Sequence, residues 1–587
     1  MNPIRARIGL LFLAAAAMVG CGGTSTTANG GGSTPVTPVA SLVHGAVTNG
    51  ALPLQSASVQ LYTVGASGLA SAAAPLLANA VTTDATGAFS FPLPACGSAT
   101  LVYLSATGGS SGAGANGATS LLAALGPCSA LTSSSSFHID ELTTVATVFA
   151  LAPFIADAAH IGASGNVPAG LANAFSMVNA LVNTTSGAMP GPTLATSATA
   201  PVATLNTLAN ILAGCIRTAS PTSSACAPLL TATSSADTLG ATLRIAHQPA
   251  SYPGLYALAA NSTAYSPSLT AAPTDWTLAL RIAASGLATP FGIAIDGAGN
   301  GWVTNESAAS LVQLSPAGTT LLTVTGSGLL APRGVAIDRS GNLWVANTGA
   351  DSVLKLSSTG SLLAKASTGL NAPTAIANDS AGNAWVANTG GNSVIQLSST
   401  GIVLTNTIGL SAPSGIALDS AGNVWVANTG ADNVLQMTHA GALSNTVSDG
   451  VTQAPGALAI DSNSNLWFTG SVPSQTAVQG ALAKVASSDT ASAPVLSMAA
   501  IPGSIATSGA DIWVANAATG GGLMLFHASS NAPLSPAAGF GSLNAPAGIA
   551  VDASGNVWVA CAGDNTVSIF LGLTTPVMTP LAQTVGP

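Results

Sequence analysis

Seven regularly spaced tryptophans constrain this chain of 587 residues more than any other feature of its sequence. Successive members lie 40 to 46 residues apart: Trp302, Trp344, Trp385, Trp425, Trp467, Trp513 and Trp558. The segments between them have strand, turn and strand patterns, and a period of this length with that content is typical of a β-propeller with one blade per repeat. The repeats therefore predict a mainly β protein with a C-terminal propeller over 271–587. The propeller is expected to have seven blades, or six if the weaker repeat at 455–500 or 502–545 does not form a full blade.

One repeat predicts the structure of a blade. Gly-Ile-Ala-Ile-Asp is an inner strand, Asp-x-x-Gly-Asn is a hairpin turn, and Trp-Val-Ala-Asn is a second strand whose tryptophan lies between blades. The eighth tryptophan, Trp276, opens the segment 276–282, which is predicted as the outer strand that closes the ring with the last blade. The aspartates that begin the turns are predicted to be structural: Asp296, Asp338, Asp419, Asp461 and Asp552.

The repeated motif Pro-x-Gly-Ile-Ala-x-Asp-x-x-Gly-Asn-x-Trp-Val-Ala-Asn is similar to NHL-repeat propellers. It also resembles the streptogramin B lyase family, whose blades carry Gly-Asn-x-Trp-Phe-Thr, and the segment from Asn465 to Thr469 comes close to that pattern. The lyase resemblance implies a general base and a general acid on one rim. His439 and His527 are the only histidines of the repeats. Both fall in turns predicted on the opposite rim, so no catalytic residue is predicted.

The order of the strands predicts a partial polar ring on the rim where the second strands end. Gly470 and Cys561 interrupt this ring, while Glu306 and Arg333 join the same rim. Its members are the asparagines that close the second strands: Asn305, Asn347, Asn388, Asn428 and Asn516. These asparagines either form Asx-type turns, repeated because the blade repeats, or line a shallow groove. Such a groove would bind a peptide, a glycan or a small polar molecule.

Charge and composition exclude several partners. The chain has 10 Lys and Arg against 19 Asp and Glu, a net charge of −9, which argues against nucleic acid because phosphate binding needs clustered basic residues. After the N-terminus, no run of about 18 apolar residues predicts a membrane span. The sequence contains no Cys-x-x-Cys motif or Cys/His cluster that would predict a zinc site. A lactonase-type ion site could use Glu306 with Asn347 or Asn388, but it would also need a central Asp, and none is evident. We predict no metal and no cofactor.

The first forty residues have the pattern of an export signal and a tether. Two arginines precede a short apolar core within 1–20, as in a secretory signal peptide. Met18-Val19-Gly20-Cys21 resembles a bacterial lipobox, with Met18 in place of the usual Leu, and this implies lipidation of Cys21; plain secretion is the alternative. Residues 21–40 are rich in Gly, Ser and Thr and predict a flexible tether. The expected location is the bacterial cell envelope, in the outer membrane or the periplasm, with the lipid anchor as the membrane contact.

Two further regions precede the propeller. Residues 41–135 carry Gly-x-Val, Ala-x-Val-x-Leu and Thr-x-Asp-x-x-Gly-x-Phe-x-Phe segments, whose alternation predicts antiparallel strands. They resemble a carboxypeptidase-regulatory-like domain, which implies an immunoglobulin-like β-sandwich. Within it, Asp84 is predicted to form a turn rather than to bind calcium. Residues 136–270 change to helical spacing and predict four or five short helices.

The remaining cysteines fit an exported protein. Cys96 and Cys128 lie in one predicted domain, and Cys215 and Cys226 are close in sequence. Each pair is therefore predicted to form a disulfide. Cys561 is left over, and we expect it to be a buried, inert thiol.

Three functions are compatible with this architecture. The first is a non-catalytic binding or scaffolding protein of the cell envelope that contacts a protein, a glycan or a small polar ligand through the propeller rim. The second is a lyase-like or lactonase-like enzyme that uses the same rim, and the third is a passive surface protein. An acid, a base or metal ligands that converge on one rim would favour the enzyme, and an uncharged Asn/Thr groove would favour binding.

Overall fold

A computed structural model describes the chain over residues 41–164, 168–448, 452–473, 479–486, 493–498, 501–517, 520–530 and 532–579. The predicted signal peptide, Cys21 and the tether lie outside these residues. From residue 41 onward the chain forms one compact unit. None of the helices in the described ranges is long and apolar enough to cross a membrane.

The N-terminal part of this unit consists of two packed β-sheets. The strands are β1 (Leu42–Asn49), β2 (Leu52–Pro53), β3 (Ser58–Thr63), β4 (Ala74–Pro75), β5 (Val81–Thr82), β6 (Ala88–Pro92), β7 (Leu101–Thr107), β8 (Ser120–Pro127) and β9 (Ser136–Ile139). One sheet has the order β2–β1–β6 with β9 parallel to β1, and the other has the order β4–β3–β7–β8 with β5 on β3. Inward residues of both sheets, such as Val43, Phe91 and Leu104, share one core. β9 extends this layer past residue 135, where the sequence predicts the domain to end.

Asp84 lies in the turn between β5 and β6. Its Oδ1 accepts hydrogen bonds from the backbone N–H groups of Thr86 at 2.8 Å and Ala88 at 3.0 Å. A hydrogen bond from the Thr86 hydroxyl contributes most to lowering the pKa of the Asp84 carboxyl below its usual range, and the two backbone hydrogen bonds lower it further. The predicted turn role is confirmed.

Five α-helices follow the two sheets. They are α1 (Glu141–Leu151), α2 (Pro168–Leu181), α3 (Val202–Ile216), α4 (Ala227–Thr233) and α5 (Thr238–His247), with short strands β10 (Ile155–Asp157), β11 (His160–Ile161) and β12 (Ala198–Thr199) between them. α1 begins after its N-cap Asp140, whose side chain accepts a hydrogen bond from the Thr143 N–H at 2.8 Å. Every residue of α1 is buried, because this helix lies between β8 and helices α2, α3 and α5. The predicted four or five helices are confirmed.

Both predicted disulfides are present. Cys96 is bonded to Cys128, and Cys215, in the last turn of α3, is bonded to Cys226 at the start of α4. Disulfides indicate an oxidising compartment and therefore an exported protein. Among the described residues the free cysteine is Cys561, which is buried, and burial raises the pKa of its thiol to about 11.

The C-terminal part is a β-propeller whose sheets follow the repeats. Strand β13 (Ala279–Ile282) comes first. Sheet 1 is β14 (Pro290–Ile295), β15 (Gly301–Asn305), β16 (Ser310–Leu314) and β17 (Thr320–Thr325); sheet 2 is β18 (Pro332–Ile337), β19 (Leu343–Asn347), β20 (Ser352–Leu356) and β21 (Leu362–Ala366); sheet 3 is β22 (Pro373–Asn378), β23 (Ala384–Asn388), β24 (Ser393–Leu397) and β25 (Val403–Ile408); sheet 4 is β26 (Pro413–Leu418), β27 (Val424–Asn428), β28 (Asn433–Met437) and β29 (Leu443–Val447).

The next sheets are less regular. Sheet 5 is β30 (Leu458–Ile460), β31 (Leu466–Val472), β32 (Gln479–Val485) and β33 (Ala493–Met498); sheet 6 is β34 (Pro502–Ser508), β35 (Asp511–Asn516) and β36 (Leu523–His527); sheet 7 is β37 (Pro546–Val551), β38 (Val557–Cys561), β39 (Thr566–Phe570) and β13. Successive strands within each sheet pair antiparallel, and each inner strand contacts the inner strands of the two neighbouring sheets in a closed ring.

The ring closes where the sequence predicts. β13 pairs antiparallel with β39, so sheet 7 contains both the first and the last strand of the propeller. β12 from the helical region adds to the outer edge of β13 and extends this sheet. Trp276, just before β13, is buried among the helices and donates from Nε1 to the Tyr252 carbonyl at 2.7 Å.

The seven repeated tryptophans lie between sheets, as predicted. Trp302 of sheet 1 packs against Leu343 and Val345 of sheet 2, and the arrangement continues around the ring until Trp558 of sheet 7 packs against Val303 of sheet 1. All seven are at most 9% exposed. Burial of these large side chains at each interface is the main apolar contribution to the cohesion of neighbouring sheets.

The inner strands approach one another closely, which explains the glycine of the repeated motif. A Cβ on Gly334 would lie 2.6 Å from the carbonyl oxygen of Thr374 in the next inner strand. A side chain on Gly415 would likewise meet the carbonyl oxygen of Gly456. Sheets 3 and 5 carry alanine at the same position of the strand, at Ala375 and Ala457.

The Asp-x-x-Gly-Asn turns lie at one end of the sheets, here called the far rim. In sheet 5, Oδ1 of Asp461 accepts from the backbone N–H of Asn463, and its Oδ2 accepts from Nε1 of Trp467 at 2.9 Å. Asp296, Asp419 and Asp552 hold the tryptophans of their own sheets in the same way. In sheet 2, Asp338 pairs instead with Nζ of Lys355 at 3.1 Å. The predicted structural role of this aspartate series is confirmed.

The helical region packs against sheets 1 and 7 at the far rim. Nδ2 of Asn173 donates to the carbonyl of Ala298 at 2.8 Å, and Oγ of Ser554 donates to the carbonyl of Gly170 at 2.8 Å. These contacts, together with the β12–β13 pairing, join the helices to the propeller through its far rim and outer edge.

Candidate functional site

The opposite end of the sheets, here called the near rim, is where the Ala-Pro segments enter the inner strands and the second strands end. Its geometry follows from the register, because Pro332 pairs with Asn347 and Pro290 pairs with Asn305. The predicted ring asparagines therefore do share one rim. Their side chains, however, are at most 8% exposed.

The buried asparagine amides are bound to the loop that leads into the same sheet. Oδ1 of Asn347 accepts from the Leu330 N–H at 2.7 Å, and its Nδ2 donates to the Gly328 carbonyl at 2.7 Å. Asn388 repeats this arrangement with the backbone of Asn371 and Gly369. Oδ1 of Asn305 accepts a hydrogen bond from the backbone N–H of Ala288, and Oδ1 of Asn428 accepts one from the backbone N–H of Ser411. The side chains thus hold the backbone of a loop 17 to 19 residues earlier, which is a structural role but not the local Asx-type turn that the repeat suggests.

Other near-rim polar groups join neighbouring sheets. The hydroxyls of Thr348, Thr389 and Thr429 donate to proline carbonyls of the following inner strands at 2.6 to 2.7 Å. The side chains of Asp351, Asn392, Asp432 and Asn565 accept from backbone N–H groups of the next Ala-Pro or Thr-Pro segment. Sequence reasoning missed this network, although the Thr that follows Asn347, Asn388 and Asn428, and the Asp or Asn four residues after each of them, were the available signal.

Glu306 and Arg333 form the charged feature of this rim. Nη2 and Nε of Arg333 donate to Oε1 of Glu306 at 2.9 and 3.2 Å, and the guanidinium lies over the ring of Phe291 at 5.1 Å. The arginine side chain is 35% exposed and the glutamate side chain 26% exposed, so the pair stays within reach of solvent. The sequence placed both residues on this rim but did not predict that they pair or that Phe291 supports them.

The mouth of the central channel lies beside this pair. An upper cavity of about 360 Å³ is lined by the near-rim halves of the inner strands. Arg333 is the one charged residue of its lining, Thr374 and Ser414 contribute hydroxyls, and Gly456 and Gly503 present backbone. Seven aliphatic residues, one from each sheet, line both this cavity and a lower cavity of the channel: Ile293, Val335, Ile376, Ile416, Leu458, Ile505 and Ile549. We call them the aliphatic ring.

The two propeller histidines lie at the far rim. Nε2 of His439 is 3.7 Å from Oδ2 of Asp379, and its ring contacts Trp385. Nδ1 of His527 is hydrogen-bonded to the hydroxyl of Ser529 at 2.8 Å. Neither lines the upper cavity. Within the described part of the chain, no group of three His, Cys, Asp or Glu residues is arranged to hold a metal ion.

Two family models match the propeller. Residues 277–521 match the virginiamycin B lyase family, and residues 543–570 match the NHL repeat. The C-terminal half of the chain is a virginiamycin B lyase-like β-propeller with NHL repeats. The predicted resemblance of this part is confirmed, while the two N-terminal regions lie outside both matches, so the carboxypeptidase-regulatory-like resemblance stays a prediction.

Several solved structures are similar to the chain. A streptogramin B lyase structure has 17% identity and a TM-score of 0.43, and covers 50% of this chain and 96% of its own. The selenomethionine-substituted virginiamycin B lyase from Staphylococcus aureus has 16% identity and a TM-score of 0.41, with 50% and 98% covered. A catalytically inactive variant of that enzyme with quinupristin has 17% identity and a TM-score of 0.43, also with 50% and 98% covered. No curated protein sequence matches the chain.

Proposed function

We propose that this protein is a lipid-anchored protein of the bacterial cell envelope that binds a ligand without catalysis at the near rim of its lyase-like propeller. The observation that carries the proposal is the upper cavity itself. It combines one arginine, the hydroxyl-bearing residues Thr374, Ser414 and Ser504, an aromatic ring and backbone in about 360 Å³, a size within the usual range of small-molecule sites.

The chemistry of the mouth favours binding over acid–base catalysis. A general acid and a general base must both reach the reacting atoms within hydrogen-bond distance. At the mouth, the carboxylate of Glu306 is already paired with Arg333, and the propeller histidines are at the other rim. The mouth instead offers the paired Arg333 and Glu306, hydroxyl groups and an aromatic face, which suit a small polar molecule, a glycan or a peptide.

A thermal-shift screen of residues 41–587 tests the near-rim site with sugars, short peptides, lactones and divalent ions. A ligand that binds only the folded state raises the melting temperature. We expect such a shift in the wild-type protein and its loss in Arg333→Gln and Glu306→Gln. Arg339→Gln is the matched control, because Arg339 is an exposed arginine just after the same inner strand. A shift that survives in both near-rim variants would contradict the proposed site.

Lipid anchoring is tested separately. The two disulfides support export, and the proposed acylation site is Cys21, outside the described residues. In a bacterial host fed radiolabelled palmitate, we expect label in the wild-type chain and none in Cys21→Ser. Unlabelled wild-type protein in the soluble extracellular or periplasmic fraction would support plain secretion instead.

The second candidate function is a lyase-like or lactonase-like enzyme. It is favoured by the family match over 277–521. Incubation with quinupristin and with simple lactones, followed by mass spectrometry, tests it directly. Ring opening by the wild-type protein that is lost in Glu306→Gln would replace the binding proposal with an enzymatic one.

A further inference from the structure

The residue after the proline that leads into each inner strand lines the upper cavity, and it differs from sheet to sheet. From sheet 1 to sheet 7 these residues are Phe291, Arg333, Thr374, Ser414, Gly456, Gly503 and Ala547. Sheets 1 to 4 therefore present an aromatic ring, a guanidinium and two hydroxyls, whereas sheets 5 to 7 present little more than backbone. The polar groups form a crescent along one side of the mouth, and the aliphatic ring lines the cavity below them.

The hydroxyl of Thr374 has no proton left for a ligand. The Thr389 hydroxyl donates its single proton to the Pro413 carbonyl at 2.6 Å. In its contact with the Thr374 hydroxyl, also 2.6 Å long, Thr389 is therefore the acceptor and Thr374 the donor. Since a hydroxyl has one proton and two lone pairs, Thr374 can only accept a hydrogen bond from a ligand.

The neighbouring sheet repeats this arrangement. The Thr429 hydroxyl donates to the Pro455 carbonyl at 2.7 Å and so accepts from the Ser414 hydroxyl at 2.6 Å. Thr374 and Ser414 are both partly exposed and both line the upper cavity. Oγ1 of Thr374 lies 3.3 Å from the carbonyl oxygen of Ser414, so the two residues are next to each other. Two adjacent acceptors suit a ligand with two adjacent donors.

Arg333 adds donors to the crescent, but its charge is already neutralised. Its hydrogen bonds to Glu306 use Nη2 and Nε, which leaves Nη1 for a ligand. The Glu306 carboxylate offsets the guanidinium, so neither an anion nor a cation meets a net opposite charge here. A carboxylate or phosphate ligand, which only accepts hydrogen bonds, would also face the acceptor oxygens of Thr374 and Ser414.

We propose that the ligand of the near-rim site is a neutral saccharide. Its neighbouring hydroxyls donate to Oγ1 of Thr374 and Oγ of Ser414, and a further hydroxyl accepts from Nη1 of Arg333. A sugar hydroxyl both donates and accepts, so one ring satisfies the whole crescent. An extended peptide instead presents an N–H and a C=O in turn along each edge, which does not match two adjacent acceptors. This inference rests on the proposed function, because it names the ligand class of the same site.

Isothermal titration calorimetry with residues 41–587 tests the ligand class. The neutral probes are cellotriose, mannotriose, chitotriose and α-1,4-galactotriose, and the acidic probe is trigalacturonic acid, the charged counterpart of galactotriose. We expect saturable binding of at least one neutral trisaccharide and no binding of trigalacturonic acid. A deoxy analogue of the bound sugar that lacks one of the donating hydroxyls is expected to bind more weakly, because a site built around a hydroxyl rejects a ligand without it.

Substitutions in the crescent test the two acceptors. Thr374→Val and Ser414→Ala each remove one hydroxyl and are each expected to weaken sugar binding about tenfold. Thr374→Ser and Ser414→Thr keep the hydroxyl, and each introduces the residue of the neighbouring sheet, so they are expected to bind like wild type. Thr323→Val, on the exposed side of β17, is the matched control. If Thr374→Val does not fold, Ser414→Ala decides the same question.

The results separate this inference from the proposed function. Equal affinity of wild type, Thr374→Val and Ser414→Ala for the bound sugar would overturn the saccharide proposal. So would binding of trigalacturonic acid alone, or no binding of any trisaccharide. In each of these cases the near-rim site still stands if another ligand of the thermal-shift screen depends on Arg333 and Glu306.

Discussion

Replacing Glu141 with glutamine tests whether one buried carboxyl makes the stability of this protein depend on pH. Glu141 is fully buried at the start of α1. Its Oε2 accepts hydrogen bonds from the Tyr265 hydroxyl at 2.5 Å and the Gly50 N–H at 3.1 Å, while Oε1 has no partner. Burial, helped by the neighbouring Asp140 carboxylate, raises the pKa of Glu141 from 4.5 to about 7.

The sign of the effect follows from this raised pKa. The protonated carboxyl stabilises the folded state fully below pH 4.5, and this stabilisation is lost as the pH rises through about 7. The interval from 4.5 to about 7, at 1.36 kcal/mol per pH unit, corresponds to roughly 3 kcal/mol. Glutamine is neutral at every pH. Glu141→Gln is therefore expected to match wild type at pH 5 and to be more stable by roughly 3 kcal/mol at pH 8.5.

Other titratable groups also surround Glu141, and two of them interact with its carboxylate. Asp140, Tyr265 and His138 surround it, and Arg217 reaches toward Gly50. For His138, burial lowers the pKa, but the hydrogen bond and charge of Asp140 outweigh it and the net pKa is raised. Its contribution to stability is likewise lost at high pH, and the Glu141 charge is one of the causes of this raised pKa, so Glu141→Gln also removes part of the His138 contribution.

Urea unfolding of residues 41–587 at pH 5 and pH 8.5 measures the difference. Glu306→Gln, which changes the other glutamate of the chain, is the control, and its effect on stability is expected to be the same at both pH values. If the free energy of unfolding of Glu141→Gln differs from wild type by the same amount at pH 5 and pH 8.5, the reasoning from burial is refuted.

Two further predictions concern the propeller. Gly334→Ala is expected to lower the free energy of unfolding by about 1–3 kcal/mol, because the added Cβ meets the backbone carbonyl of Thr374 at 2.6 Å. Gly68→Ala is the control: a Cβ at this position meets no atom within 4 Å, so the free energy of unfolding should change by less than about 0.5 kcal/mol. Equal effects of the two substitutions in urea unfolding would contradict the close approach of the inner strands. Asp461→Ala is expected to cost about 1–3 kcal/mol, since it leaves the buried Nε1 of Trp467 without its acceptor. An unchanged urea midpoint and an unchanged tryptophan emission spectrum would refute this role.

Much of the local structure is readable from the repeat because a blade is made largely of short-range contacts. The Asp-x-x-Gly-Asn turn satisfies its own backbone within four residues, and the tryptophan two residues later donates to the same aspartate in four of the sheets. The closing strand at 276–282 also follows from the repeat, because a propeller needs an outer strand to complete its last blade. The Cys215–Cys226 pair was predictable from proximity along the chain, and the Cys96–Cys128 pair from the presence of both residues in one predicted domain.

The candidate site was predictable only in part. Strand order placed Asn347, Glu306 and Arg333 on one rim, but it carried no information on how deep each side chain would lie. Burial decides their roles: the asparagine amide is fully buried and bonded to backbone, whereas the arginine, paired with Glu306, stays partly exposed beside the cavity.

The repeating architecture, the turn chemistry and the positions of the strands follow from the amino-acid sequence, because these depend on residues a few positions apart in the chain. Which polar groups are hydrogen-bonded and which are not depends on the folded chain, because their partners come from distant segments. Tyr265 reaches Glu141 across 124 residues, and β12 meets β13 from another region of the chain. Burial is likewise a property of the assembled ring rather than of any single strand, as the buried amides of Asn347 and Asn388 show.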